Sequence, residues 1–129
     1  MGFMDRFKSS SYALLRIVSG FMFAFHGVQK MFGLFSEHPS PAFGTQMWFG
    51  GAIELACGLL IMVGLFTRFA AFLASGEMAV AYFQFHWKLQ GGAAFLPGVN
   101  KGEMAVLYCF IFLLIASQGP GAWAVDGKR

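Results

Sequence analysis

Several ionisable and polar residues interrupt the long apolar stretches of this sequence. A charged side chain within a membrane-spanning helix costs about 2.5–3.5 kcal/mol on insertion scales, so such residues usually face a partner or a water-filled cavity. Acids and bases held there can bind a small ligand or exchange protons. The residues predicted to gather in the outer half of the bundle are His26, Gln29, Lys30, Glu54, Gln84, His86 and Glu103.

The deepest acid of this outer group is Glu54, which needs either a cation or a proton. Lys30 and His26 are four residues apart and therefore share one helix face, so either could be its partner. Two interpretations stay open: a pair that only fixes helix packing, and a binding or redox site for a small molecule. A metal or haem site on His26 and His86 is not favoured, because no dense ligand motif accompanies them.

A second group, predicted to lie in the inner half, consists of Arg16, Arg68 and Glu77. Arg16 and Glu77 are expected to form a structural ion pair, or else Arg16 extends to the lipid headgroups. Cys57 and Cys109 are far apart and form no CxxC motif, which argues against a disulfide framework or a zinc site.

The composition predicts the environment of these residues. Of 129 residues, 57% are hydrophobic and only 12% are charged, whereas soluble domains carry about 25% charged residues. Seventeen Phe are more than the hydrophobic core of a small soluble protein could bury, so we expect a lipid-facing surface. The length predicts a single domain over residues 1–129. Scattered Lys and Arg exclude a nucleic-acid binder, and no cleavable signal peptide is evident.

Four apolar stretches predict an all-α, four-helix transmembrane bundle. A crossing needs roughly 20 residues, and the last stretch is short of this. Gly64 to Arg68 predicts a tight turn that makes the second and third helices antiparallel neighbours. The stretches are Tyr12 to Phe35, Met47 to Phe66, Phe69 to Trp87, and Glu103 to Gln118.

The distribution of basic residues predicts the orientation of the bundle, because cytoplasmic loops carry the excess of Lys and Arg. With both termini in the cytoplasm, more basic residues lie inside than outside. The inner residues are then Arg6, Lys8, Arg16, Arg68, Lys128 and Arg129, and the outer ones are Lys30, Lys88 and Lys101.

Glycine spacing predicts which helices touch. Gly50, Glu54 and Gly58 repeat every four residues, and Gly20 and Gly27 are one heptad apart. Stripes of small residues let helix backbones approach closely in lipid. We therefore expect the first and second helices to pack together, with Lys30 or His26 near Glu54.

The order of motifs in this sequence resembles that of the DoxX family of small bacterial and archaeal membrane proteins. The resemblance covers nearly the whole chain. The motifs are Leu15-Arg16 with Gly20, the run from His26 to Gly33, Ile53-Glu54 with Gly58 to Leu60, the run from Gly64 to Ala71, Gly102-Glu103, Gly119-Pro120-Gly121 and Asp126.

The resemblance implies a four-helix, multi-pass protein of the bacterial or archaeal plasma membrane. It also implies a membrane subunit, non-catalytic or co-catalytic, of a quinone-linked or thiol/sulfur-linked redox system. No flavin or nicotinamide motif is present, so the electrons would come from a protein partner or a bound cofactor. A homo-oligomer is the other assembly expected. Alternatives are a small-solute transporter and a structural anchor for a partner. The resemblance also implies recurring polar positions, from which Glu77 is absent: the run from His26 to Gly33, Glu54, the Thr67-Arg68 turn and Glu103.

Overall fold

The computed structural model describes residues 2–34, 40–87 and 102–127, with the backbone alone for residues 85–87. That part of the chain is all α-helical, without strands. A 3₁₀ segment (Gly2–Phe7) leads into the first helix, and a π-helical segment (Tyr82–Trp87) follows the third. The four helices are α1 (Lys8–Phe32), α2 (Gln46–Val63), α3 (Thr67–Ala81) and α4 (Glu103–Gln118).

Glycines and a threonine set the helix ends. Gly33 and Gly64 adopt left-handed conformations after α1 and α2, with φ of 67° and 76°, which only glycine adopts without steric cost. The Thr45 hydroxyl accepts a hydrogen bond from the Trp48 backbone N–H and caps the start of α2.

The predicted boundaries are right for α4 and shifted elsewhere. α1 begins at Lys8 rather than Tyr12, because a run of polar residues continues the helix before its apolar part starts. α2 ends at Val63 rather than Phe66, because Gly64 turns the chain. The predicted loop signals at His38-Pro39 and from Gly91 to Gly98 lie outside the described residues, as do Lys88, Lys101, Lys128 and Arg129.

Two helical stretches of the described residues, Gly2–Phe32 and Gln46–Val63, are long and apolar enough to cross a membrane, and α4 is a shorter apolar helix. The outer surface is rich in exposed aromatic side chains: Phe69 and Phe72 are 70% and 68% exposed, and Phe110 on α4 is 63% exposed. α4 also buries Phe112 and Ile115. A helix that is apolar on all sides belongs in lipid or in a large core.

α1 and α2 pack so closely that glycine is required at their crossing. A Cβ added to Gly20 would lie 2.6 Å from the Met62 backbone nitrogen, and one added to Gly58 would lie 2.7 Å from the Gly20 carbonyl oxygen. The expected contact between the first two helices is therefore present. The stripe on α2 runs through Gly51 rather than Gly50, whose added Cβ would approach only Glu77 on α3.

α3 and α4 form a second pair around small residues. Ala70, Ala71 and Ala74 are fully buried, and the Ser75 hydroxyl donates to the Cys109 carbonyl oxygen at 2.7 Å. The aromatic ring of Phe23 on α1 joins the two pairs, because its centroid lies 4.7 Å from that of Phe112.

Hydrogen bonds from Arg16 on α1 hold the segment that follows α4 against α1 and the end of α2. Its side chain is fully buried, and its guanidinium donates to the carbonyl oxygens of Ile61, Pro120, Ala122 and Trp123 at 2.5–3.1 Å. The ion pair expected between Arg16 and Glu77 does not form between these two described residues. Four backbone carbonyls meet the guanidinium's need for acceptors, and burial excludes an extension to the headgroups.

Two other side chains secure the same end. The Asp126 carboxylate accepts hydrogen bonds from the backbone N–H groups of Phe66 and Thr67 at 3.1 and 3.0 Å, and so caps the start of α3. Arg68 donates to the carbonyls of Ala116 and Ser117 at the end of α4, where a helix leaves carbonyl groups without internal partners.

The glycine contact predicts a clear difference between two alanine substitutions. We expect Gly58→Ala to destabilise the protein by about 1–3 kcal/mol, because the added methyl group forces two backbones apart. Gly76→Ala on α3 is the control, since a Cβ there has open space and alanine favours the helix. Thermal unfolding in detergent measures both, and equal midpoints would contradict the packing.

Candidate functional site

A buried ion pair joins α1 to α2. The Lys30 Nζ lies 2.5 Å from Glu54 Oε2, and the Glu54 side chain is 1% exposed while that of Lys30 is 33% exposed. Of the two partners that the sequence left open for Glu54, Lys30 and His26, the structure pairs Lys30. Taking a carboxylate out of water is costly unless a cation or a proton compensates its charge, so Lys30 supports the charged form of Glu54.

The close helix crossing positions this pair. Gly51, Glu54 and Gly58 occupy one face of α2 at spacings of three and four, and that face meets α1. A Cβ added to Gly51 would lie 3.1 Å from the Lys30 Cβ. Without the glycine, α1 could not bring Lys30 so near the α2 backbone.

Beside the pair lies a partly open cavity of about 340 Å³, here called the polar cavity. Its walls are largely apolar, with an imidazole, an ammonium, a carboxyl and a phenol group among them. It is lined by Phe23, His26, Lys30, Met47, Glu54, Met78, Ala81, Met104, Ala105 and Tyr108.

Tyr108 contributes a hydroxyl group that has no hydrogen-bond partner among the described atoms. The residue is 4% exposed, and the edge of its ring meets His26 with 5.9 Å between centroids. A buried hydroxyl without a partner costs free energy, which makes it a natural contact for a ligand in the polar cavity. Tyr108 is not among the site residues predicted from the sequence, where its only signal is that it is the single tyrosine of the fourth apolar stretch.

Glu77 of α3 joins the same cluster from the other side. Both Glu54 and Lys30 act on it electrostatically, and its Oε1 is buried without a hydrogen-bond partner in the described structure. Glu77 lines a separate cavity of about 150 Å³, here called the α2–α3 cavity, which Lys30 also lines. The cluster therefore contains two carboxyl groups and one amine.

The remaining predicted site residues are dispersed. Gln84 is exposed and hydrogen-bonds to Gln46 on α2, and Glu103 is exposed at the start of α4. Gln29 is not among the residues that line the polar cavity, and the side chain of His86 lies outside the described residues. Of the predicted outer group, the polar cavity gathers His26, Lys30 and Glu54.

An apolar groove of about 540 Å³ between α1 and α4 adjoins the polar cavity. Leu14, Val18 and Leu107 are among the residues that line it, and Met104 and Tyr108 line both spaces. A molecule could therefore place a polar end beside Lys30 and extend an apolar part between the two helices. No group of three or more His, Cys, Asp or Glu suited to a metal ion occurs among the described residues.

Comparison with known proteins places the sequence in a defined group. The DoxX family model matches residues 11–87. A Haemophilus influenzae protein is 40% identical over 99% of this chain and 97% of its own length. An uncharacterized membrane protein of Mycobacterium tuberculosis is 28% identical over 92% of this chain and 80% of its own. No solved structure gives a significant match.

The Lys30–Glu54 pair predicts a double-mutant result. Lys30→Met should cost roughly 3 kcal/mol, the lower end for breaking a buried pair, because Lys30 is partly exposed. Adding Glu54→Gln should restore most of this loss, since no uncompensated charge is then left. Lys8→Met is the control, because the pair that it removes, with Asp5, is exposed and worth about 1 kcal/mol or less.

Unfolding free energies measured in detergent give the coupling between the two positions. If Lys30→Met unfolds at the wild-type midpoint, Lys30 does not compensate the charge of Glu54.

Proposed function

Since the chain belongs to the DoxX family of membrane proteins, we propose that it is a small membrane subunit of a quinone-linked redox system and holds a quinone headgroup in its polar cavity. One observation carries the proposal: a partly buried amine, a carboxyl and a hydroxyl without a hydrogen-bond partner among the described atoms line a largely apolar cavity. This cavity shares Met104 and Tyr108 with the apolar groove between α1 and α4. The volume of about 340 Å³ lies within the usual range of small-molecule sites, about 300–1,000 Å³.

The polar groups match the chemistry of a quinone. A quinone carbonyl oxygen accepts hydrogen bonds, and the Lys30 ammonium and the Tyr108 hydroxyl can both donate them. After reduction by two electrons and two protons, each oxygen carries a proton and can donate to an acceptor such as the Glu54 carboxylate. The aromatic rings of Phe23 and Tyr108 supply flat apolar walls for the quinone ring.

The apolar groove fits the other end of such a molecule. Membrane quinones carry a long hydrocarbon tail, and the groove between α1 and α4 opens beside Met104 and Tyr108. The tail would leave the polar cavity sideways into the lipid, so the headgroup need not cross water. This arrangement also favours a membrane-dissolved ligand over a water-soluble one.

A partner protein supplies the electrons in this proposal. Cys57 and Cys109 are both free thiols, and Cys57 is buried, so they provide no dithiol pair to be oxidised. A dithiol or reduced sulfur compound held by the partner would pass two electrons to the quinone and release its own two protons to the surrounding water. The chain then acts as the quinone-binding subunit of the pair.

The proposal includes a four-span topology with both termini in the cytoplasm, in the plasma membrane of the cell. α3 with its π-helical extension and α4 would then cross the bilayer alongside α1 and α2. The polar cavity lies near the end of α1 and the start of α2, in the outer half. Arg16, Arg68 and the segment after α4 lie in the inner half, in agreement with the excess of basic residues there.

Cysteine labelling tests this topology. A cysteine introduced at Val125, which is 68% exposed, should react with a membrane-impermeant maleimide only after the cells are opened. A cysteine at Phe43, 82% exposed in the connection between α1 and α2, is the matched outer position and should react in intact cells. The reverse pattern would contradict the orientation.

Quinone binding tests the function directly. Purified protein in nanodiscs should bind a quinone analogue, and Tyr108→Phe should weaken binding about tenfold, since one hydrogen bond contributes roughly 1.4 kcal/mol. Stability should not fall, because the hydroxyl has no hydrogen-bond partner without ligand. Glu103→Gln, at an exposed acid outside the polar cavity, is the control and should bind normally. Absence of binding by the wild type would refute the proposal.

A further inference from the structure

The carboxyl groups of Glu54 and Glu77 connect two separate cavities. Glu54 lines the polar cavity and Glu77 does not, whereas Glu77 lines the α2–α3 cavity and Glu54 does not. The two side chains come from different helices and interact with each other. A ligand in the polar cavity would therefore contact Glu54 but not Glu77, which leaves Glu77 without a role in binding.

The charges in this cluster do not balance if both carboxyl groups are ionised. One ammonium, from Lys30, faces two carboxyls, and like charges at short range in an apolar environment cannot both persist. The Cys57 thiol beside Glu77 and the Tyr108 phenol beside Glu54 add no positive charge. The His26 imidazole lines the polar cavity together with Glu54, but it forms no ion pair with either carboxyl group among the described residues. The cluster therefore needs one proton between its two carboxyl groups.

The atoms show where that proton can reside. Glu54 already receives a hydrogen bond from Lys30 on Oε2, which favours its ionised form. Glu77 has its buried Oε1 unpartnered and no ammonium within ion-pairing distance among the described residues. Glu77 is accordingly the better holder of the proton, and it lines the partly open α2–α3 cavity.

We propose that Glu77 relays protons between the α2–α3 cavity and Glu54, and that Glu54 delivers them to the ligand in the polar cavity. This inference rests on the proposed quinone ligand for its final acceptor. The proton on Glu77 passes to Glu54, and Glu54 transfers it to a reduced quinone oxygen, where it forms the new O–H bond. Glu77 then takes a proton from water in the α2–α3 cavity, so the cluster returns to its starting charge.

Infrared spectroscopy tests the shared proton without a ligand. The wild type should show the carbonyl stretch of a protonated carboxyl group, shifted by exchange into deuterated water. Glu77→Gln should abolish that band, and Glu103→Gln, which changes an exposed acid, should leave it unchanged. A wild type without the band, or a Glu77→Gln variant that keeps it, overturns the inference.

Proton uptake tests the relay itself. In nanodiscs with bound quinone and a chemical reductant, Glu77→Gln should bind quinone as the wild type does but take up protons about 100-fold more slowly, the lower end for losing an acid–base group. Glu77→Asp keeps the carboxyl group and should retain most of the proton-uptake rate, which separates an effect on proton transfer from an effect on packing. If Glu77→Gln does not fold, Glu77→Asp still tests the relay, and a large loss of rate in a folded Glu77→Asp variant would contradict it. An unchanged rate in Glu77→Gln refutes the relay.

The two proposals fail in different ways. If the wild type binds no quinone but its carboxyl band disappears in Glu77→Gln, the quinone function is wrong and the shared proton stands. If quinone binds and Glu77→Gln changes neither the band nor the rate, the relay is wrong and the quinone site stands.

Discussion

The close crossing of α1 and α2 is the constraint on which the rest of the molecule depends. Hydrophobic burial does little to hold helices together in lipid, so packing and polar contacts must do so. Glycines at positions 20, 27, 51 and 58 let the two backbones touch, and this contact brings Lys30 against Glu54. Side chains at the crossing would separate the helices and leave the Glu54 carboxylate without its cation.

The two ends of the bundle differ in how completely their polar groups are hydrogen-bonded. At one end, Arg16, Arg68 and Asp126 satisfy backbone carbonyl and N–H groups that helix termini leave without partners. At the other end, the Tyr108 hydroxyl and one oxygen of Glu77 are buried and have no hydrogen-bond partner within the described part of the chain. Unsatisfied buried groups destabilise a fold, so the second end retains them at a cost in stability.

Sequence patterns predict the backbone of this structure better than its side-chain contacts. The lengths of the apolar stretches and the glycines between them predicted four helices and the turn at Gly64. Helical spacing also narrowed the partner of Glu54 to Lys30 or His26, because a buried acid restricts its partners to a few cations. The same reasoning paired Glu77 with Arg16 by estimated depth. Depth along a helix does not say which face a residue occupies, and Glu77 faces Glu54 instead.

The sequence by itself determined the apolar character of the chain, its helices, its family, and the need for charge compensation at Glu54. These follow from composition, local spacing and motif order, which require no knowledge of which helices are neighbours. Only the tertiary structure decided that Arg16 binds backbone carbonyls, that Tyr108 lines the polar cavity, and that Glu77 lines the α2–α3 cavity. Such contacts join residues distant along the chain, and their geometry depends on how the two helix pairs meet around Phe23.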